Sequence, residues 1–385
     1  MLGAQDRHAQ LTGRGRPGRQ VEPMSALLRP SVITGAALVL VLVVLWFRLR
    51  RDLFWVLIVT SLVALVVGEA LCRGLGLGAV DRVEWSESRV SGESGVPGYE
   101  PGSTLVYTYP DNPRGYFGEQ NRVVGAINSH GFRGPYRPLE RTPGTGRIAL
   151  IGDSFTLGIG VRDEDTLPAS LEAVLTEAGA DVEVLNFGVS DTDTPQQATL
   201  LENTVLGYDP DIVVVVVFLN DARSGGTIAI MNSPRGFNRL RRFSHLVNAL
   251  GDAIERPVVH RELVERYRSA YTDSSAGWLA MRSALRRVSE ATSERGCRLI
   301  VALYPVLYRL DEGYPFERLH DTIRAFCESQ GIEFVDLRAA FEGCSGPELW
   351  VHRLDQHPNE VAHRRAAELI GAMLLEDMLA APTSD

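Results

Sequence analysis

Cysteine is scarce. The four in 385 residues, Cys72, Cys297, Cys327 and Cys344, are too few and too scattered for a disulfide framework or a zinc site, so no redox compartment follows from them. Excess positive charge is missing too: the formal net charge is -9, which argues against a nucleic-acid partner, because such a protein needs a basic face to neutralise phosphates. No His, Cys, Asp and Glu cluster has metal-ligand spacing, so no metal is expected. The glycine-rich pieces near Gly144 and Gly225 lack both the strand-to-helix setting and the lysine of a phosphate loop, and no cofactor is implied. There is no internal repeat and no low-complexity tract.

Long apolar runs, by contrast, are present near the N-terminus. Val32 to Phe47 is almost wholly apolar, and Leu53 to Leu71 forms a second run after the turn Arg48-Leu-Arg-Arg-Asp52. At about 1.5 Å per helical residue the second run can cross a hydrocarbon core of about 30 Å, and the pair reads as a transmembrane helical hairpin over residues 31–72. A cleaved signal peptide is the rival reading of the first run, but no A-x-A site follows it. Cys72 invites a lipoprotein reading, yet Glu69-Ala-Leu71 supplies no small residue directly before the cysteine. The arginines of the turn lie against both runs, whereas Arg7, Arg14, Arg16 and Arg19, in a basic and disordered segment over residues 1–30, lie farther off. The charge rule therefore places the turn inside and the large domain outside the cell membrane, as a two-pass protein.

Residues 73–146 are rich in Gly, Pro, Ser and Tyr, with short β-like stretches at Thr104 to Thr108 and Arg122 to Ile127, and read as a linker and irregular lead-in. Beyond them strands and helices alternate: strands at Arg147 to Ile151, Val182 to Phe187, Ile212 to Leu219, Arg298 to Tyr304 and Glu333 to Leu337, with helices at Leu167 to Glu177, Pro195 to Leu206, Gly277 to Glu294, Phe316 to Ser329 and Glu360 to about Leu379. The strands are continuous apolar runs, Ile212 to Phe218 above all, as parallel strands are when helices cover both faces. This predicts an α/β domain over residues 147–380 with a short tail, 381–385. Thr166 and Asn359 are expected N-caps, and Gly179 a helix stop.

Gly152-Asp-Ser154 comes directly after the first of these strands, so the serine stands at the carboxyl edge, where open α/β sheets bind ligands. Three further pieces fall on that edge: Asn186-Phe-Gly188, Leu219-Asn-Asp221, and Asp355-Gln-His-Pro-Asn359. A serine hydroxyl is a poor nucleophile until a base takes its proton, and a carboxylate fixes the base's tautomer. His357 and Asp355 supply those parts. Acyl transfer also needs donors for an oxyanion, and the backbone N–H groups of Ser154 and Gly188 with the Asn220 side-chain amide can converge if their strands are neighbours. Asp153 is expected to brace the serine turn, and Asp221 to orient Asn220 or to cap the next segment of chain. Asp191 and Asp193 read as turn or N-cap residues, and His352 as a surface histidine.

This order of blocks resembles the SGNH (GDSL-like) hydrolase superfamily, whose Ser, Gly, Asn and His appear here as Ser154, Gly188, Asn220 and His357. The resemblance covers Asn128 to about Ala380 and includes the lead-in Asn128-Ser-His-Gly-Phe-Arg-Gly134 that often precedes the nucleophile block in bacterial members. It implies a flavodoxin-like three-layer αβα sandwich with a five-stranded parallel sheet. One departure stands out: many members space acid and base as Asp-x-x-His, whereas one residue separates Asp355 from His357, which leaves a Ser–His dyad open.

The reading implied is a membrane-anchored serine esterase that removes acyl groups, acetyl foremost, from cell-envelope carbohydrate or a related small ester. An acyltransferase would share the acyl-enzyme and hand the acyl group to a sugar hydroxyl; with two spans it would need a membrane protein partner to bring the donor across. A non-catalytic envelope scaffold is the third reading. Between Arg223 and Tyr271, arginines at 235, 239, 241 and 242 alternate with Phe237, Leu240 and Phe243, a stretch placed to cover the active-site edge, either binding an anionic glycan or forming a solvated helical face.

Overall fold

The apolar residues after Arg51 form one helix, α1 (Arg51–Gly74), whose span Asp52–Gly74 is long and apolar enough to cross a membrane and leaves most of its large apolar side chains exposed. The computed structural model describes residues 41, 43–44, 51–78, 82–91, 96–222, 238–241, 243–310 and 313–380. The first apolar run, apart from Val41, Val43 and Val44, lies outside these residues, as do the basic N-terminus, the start of the Arg-rich stretch and the C-terminal tail. The chain divides into two compact units, Met1–Ala79 with Pro234–Gly251, and Val80–Ser233 with Asp252–Asp385.

The second unit opens on short strands: β1 (Glu84–Ser86), β2 (Arg89–Ser91), β3 (Pro97–Tyr99), β4 (Thr104–Thr108) and β5 (Arg122–Ala126). They make an antiparallel β1-β4-β5 sheet and a β2-β3 ribbon. Strands β4 and β5 fall on the two β-like stretches read at Thr104 to Thr108 and Arg122 to Ile127, and β1, β2 and β3 add order that the reading of residues 73–146 as linker and irregular lead-in did not include. Period-2 alternation sends Leu105, Tyr107 and Tyr109 inward, all buried in the same core as the main sheet.

The main domain runs β6 (Gly146–Gly152), the one-turn helix α2 (Ser154–Leu157), α3 (Leu167–Glu177), β7 (Val182–Gly188), α4 (Thr194–Asn203) and β8 (Ile212–Phe218). Next come α5 (Asn238–Arg241), α6 (His245–Ala270), α7 (Ala276–Glu294), β9 (Arg298–Tyr304), α8 (Glu317–Ser329), β10 (Glu333–Asp336), the hairpin β11 (Trp350–His352) and β12 (Asp355–Pro358), and α9 (Glu360–Ala380). The five parallel strands lie in the order β10-β9-β8-β6-β7. Helix α3 packs on α9 and α4 on α7, giving the two outer layers of a flavodoxin-like αβα sandwich. In β8 every residue after Ile212 is buried, as an all-apolar strand between two helical layers must be.

Local signals hold at the helix ends. The Thr166 hydroxyl accepts from Ala169 N–H, Asp193 and Gln196 form a capping box on α4, and Asn359 accepts from Ala362 N–H. The helix read as Pro195 to Leu206 stops at Asn203 and continues as a 3-10 turn, Val205–Tyr208. The sheet turns around β6: from there the chain goes outward to β7 on one side and back to β8 on the other. That reversal opens a crevice at the carboxyl ends of β6 and β8.

In the first unit, α1 meets the start of α6. Glu69 accepts from Ser244 Oγ at 2.8 Å and from the backbone N–H groups of His245 at 3.1 Å and Leu246 at 3.0 Å, while Arg73 donates to Phe243 O at 2.9 Å. Of the Arg-rich stretch, the described part up to Gly251 thus packs on α1, a contact that sequence spacing did not suggest.

Candidate active site

Strand β6 ends at Gly152, where an added Cβ would lie 2.2 Å from Thr156 Oγ1 and 2.9 Å from Val216 O, so the turn can close only over a glycine. Asp153 then caps α2, its carboxylate accepting from Phe155 N–H at 2.9 Å, and Ser154 becomes the first residue of that helical turn. Its N–H is one of the unpaired donors that every helix start presents.

The hairpin β11-β12 brings the other partners. Because side chains at i and i+2 share one face of a strand, Asp355 and His357 point the same way from β12, which is how a one-residue spacing unites them. Ser154 Oγ lies 3.0 Å from His357 Nε2, and His357 Nδ1 donates to Asp355 Oδ1 at 2.5 Å. The second carboxylate oxygen, Oδ2, accepts from Tyr109 O–H at 2.8 Å. Burial works against charge on both members of the pair, but their mutual attraction and hydrogen bonds outweigh it: the Asp355 carboxyl is held below the usual carboxylate range and the His357 imidazole above the usual histidine range.

Asn220, just beyond β8, donates from Nδ2 to Asp153 Oδ2 at 3.5 Å, which sets its amide beside the serine turn. Gly188 departs from expectation. Its N–H donates to Asn186 Oδ1 at 2.9 Å rather than standing open toward Ser154. What requires glycine there is contact, since a Cβ would lie 2.2 Å from Leu157 N in α2. Asp221 is buried and accepts from Thr194 Oγ1 at 3.1 Å and from Phe218 N–H at 3.5 Å, so it ties β8 to α4 rather than touching Asn220 through any of these bonds. Burial, then the neighbouring Asp153, pushes the Asp221 carboxyl well above its ordinary value, and burial lifts Asp153 to about 6. His352 is not at the surface: it is buried, bonded to Asp111 Oδ1 at 2.7 Å and packed on Tyr109 and Phe117. Asp191 sits in the left-handed region at φ 61, its carboxylate 3.0 Å from Arg89.

Several neighbours of the site come from the early strands, where sequence reasoning assigned none. Trp85, half exposed, sets its ring against the His357 imidazole with centroids 5.6 Å apart. Tyr107 O–H donates to Glu87 at 3.1 Å, Arg89 donates to Ser190 O, and Ser190 N–H donates to Tyr99 Oη at 3.0 Å. The one available signal was alternation: Tyr107 and Tyr109 fall on the inward face of β4 and its extension, where buried hydroxyls must find partners. A separate cavity of about 310 Å³ opens along the free edge of β7, lined by His130, Arg137, Glu172 and Tyr208 among others. Ser154, Asp355 and His357 do not line it, so it stands apart from this chemistry.

Residues 150–365 match the family model of the GDSL-like lipase/acylhydrolase family, more than half of the chain. The chain belongs to this family. It is accordingly a hydrolase acting on ester bonds, and the matched span holds the strand ends described above. No curated protein matches the chain. Among solved structures it is similar to a lipolytic protein of the G-D-S-L family from Desulfitobacterium hafniense, 16% identical over 59% of this chain and 99% of that one with a TM-score of 0.36. It is also similar to the Clostridium thermocellum family 3 carbohydrate esterase, with 14% identity, 61% and 98% coverage and a TM-score of 0.40. The lipase/acylhydrolase from Enterococcus faecalis gives 18%, 61% and 96%, and 0.38.

Proposed function

We propose that this acylhydrolase is a membrane-anchored esterase that removes short acyl groups, acetyl above all, from cell-envelope carbohydrate, with Ser154 as nucleophile, His357 as base and Asp355 as the group that orients the base. The observation that carries this is the continuous line from Ser154 Oγ through His357 to Asp355. His357 Nε2 takes the hydroxyl proton as Oγ adds to the ester carbonyl, and returns it to the departing alkoxide. The same nitrogen then takes a proton from the water that releases the acid. The Ser154 N–H and the Asn220 amide supply oxyanion donors, each worth about 2.7–4 kcal/mol in a site of this kind. Gly188 enters that set only if its bond to Asn186 gives way.

One feature supports a carbohydrate ester and a second a short acyl group. The half-exposed Trp85 ring beside His357 offers an apolar face to a sugar ring, flanked by the polar groups of Glu87 and Arg89. Phe155 packs on Phe218, Tyr304 and His357, filling the strand-end side of the imidazole with aromatic carbon, which favours a short acyl chain. Anchoring rests on α1, and the arginines before it favour an extracytoplasmic domain. The test is hydrolysis of a short-chain chromogenic ester by the chain and by Ser154→Ala. We expect Ser154→Ala to lose at least about 10⁴-fold in kcat. Comparable turnover by both would remove Ser154 from the mechanism, and acyl transfer to an added sugar in preference to water would make the protein a transferase.

A further inference from the structure

The site leaves unexplained a carboxylate in the apolar helix and a hydrophobic segment far along the chain that folds onto it. No charged residue interrupts α1 between Asp52 and Glu69, a rise of about 26 Å. Against a hydrocarbon core of about 30 Å, that stretch puts Glu69 at the inner margin of the headgroup layer, where a carboxylate must find partners. Its partners are Arg73 Nε at 2.7 Å, Ser244 Oγ at 2.8 Å and the N–H groups of His245 and Leu246. Glu69 thus satisfies orphan donors at the start of α6, and Ser244 Oγ accepts from Val247 N–H at 3.1 Å to complete the cap.

The fit is close elsewhere along the contact. A Cβ on Gly68 would lie 3.0 Å from Leu246 Cδ2, and one on Gly78 would lie 2.0 Å from His245 O; Asn248 Nδ2 donates to Gly78 O at 3.1 Å. Whatever depth Glu69 occupies, residues 243–248 therefore occupy as well. Yet Phe243 is 77% exposed, Leu240 56% and Leu250 55%, large apolar side chains that keep more than half of their surface uncovered.

We infer that Leu240 to Leu250 lies in the headgroup layer of the bilayer, its apolar side chains meeting acyl chains and its backbone locked by Glu69 to the end of the spanning helix. The occupant of this surface is lipid, because the segment is bonded to the last turns of a helix whose own apolar side chains are exposed along its length. The inference rests on the anchoring reading above.

The test uses the full chain in phosphatidylethanolamine/phosphatidylglycerol vesicles, with the photo-crosslinker p-benzoylphenylalanine placed at position 62, 243 or 139 and adducts identified by mass spectrometry. Lipid adducts are expected from 62 in the span and from 243, and none from 139, an exposed leucine of the hydrolase unit. Glu69→Gln is expected to lower the yield at 243 several-fold and to leave that at 62 unchanged. Adducts at 62 without adducts at 243 would overturn the inference and leave the anchor standing, whereas none at 62 would remove the anchor itself. A yield at 243 indifferent to both Glu69→Gln and Glu69→Ala would overturn the lock.

Discussion

At the scale of single residues, two carboxyls in the same fold are held in opposite states. Asp355 stays ionised because His357 and Tyr109 both bond it, and its charge in turn holds the imidazole above its ordinary range. A base must be neutral to act, so kcat/KM should rise with pH through a limb above the usual histidine value of 6.5. Asp355→Asn removes the charge and leaves burial, so the limb should move to lower pH while kcat falls by about 10³–10⁴-fold. A limb that stays put would show that Asp355 does not set the proton affinity. Asp221, by contrast, is pushed toward the protonated form, and its Oδ1 finds no partner among the described residues. With a folded pKa raised above the unfolded one, its contribution to stability is complete below the ordinary carboxylate range and is lost as pH rises. Asp221→Asn mimics the neutral acid, so its Tm should match wild type near pH 4 and exceed it increasingly toward pH 8. A difference independent of pH would count against a protonated Asp221.

Elements show what was legible in the sequence and what was not. The bounds read for α3 and β9 coincide with the structure, because a capped amphipathic helix and an all-apolar strand carry their signals within themselves. That Ser154, His357, Asp355 and Asn220 would share one edge was legible for a related reason: each follows a strand end or precedes a helix, and the α/β rule brings such positions together. Strands β4 and β5 were legible as short β-like stretches, but β1 and its pairing with β4 were not. Strand β1 exposes all three of its residues, so it has no alternation to read, and its place depends on pairing with β4. Tyr109 meets Asp355 across 246 residues, a contact no local pattern encodes. The consequence is a role for this sheet in positioning the acid. Tyr109→Phe keeps the stack on Phe117 and deletes one hydrogen bond to a buried carboxylate, worth about 1.5–3 kcal/mol. A roughly tenfold fall in kcat at unchanged KM is expected, with the Tm a few degrees lower. Stability loss with kcat intact would reduce Tyr109 to packing.

For the whole molecule, the anchoring proposed for α1 raises the question of which side of a membrane the hydrolase would occupy. In the sequence Arg48 and Arg50 directly precede Arg51, the first residue of α1, whereas the last turn of the helix carries the single Arg73, where Glu69 already pairs with it. Positive charge resists translocation, so the N-terminal end of α1 should stay in the cytoplasm and everything from Gly74 onward should emerge outside, up to the insertion that returns to α1 and the hydrolase sheet beyond. This does not depend on the course of the chain before Val41, because the bias lies on the residues next to the helix. It also agrees with the proposed substrate, since an esterase acting on envelope carbohydrate would meet that polymer outside. Reporter fusions at Asp385 separate the alternatives. An alkaline phosphatase fusion should be active and a green fluorescent protein fusion dark, and replacing Arg48, Arg50 and Arg51 with glutamine should weaken both signals by mixing orientations. A bright fluorescent fusion with an inactive phosphatase would put Ser154 in the cytoplasm, keep the ester hydrolysis, and require a cytoplasmic ester in place of the envelope polymer.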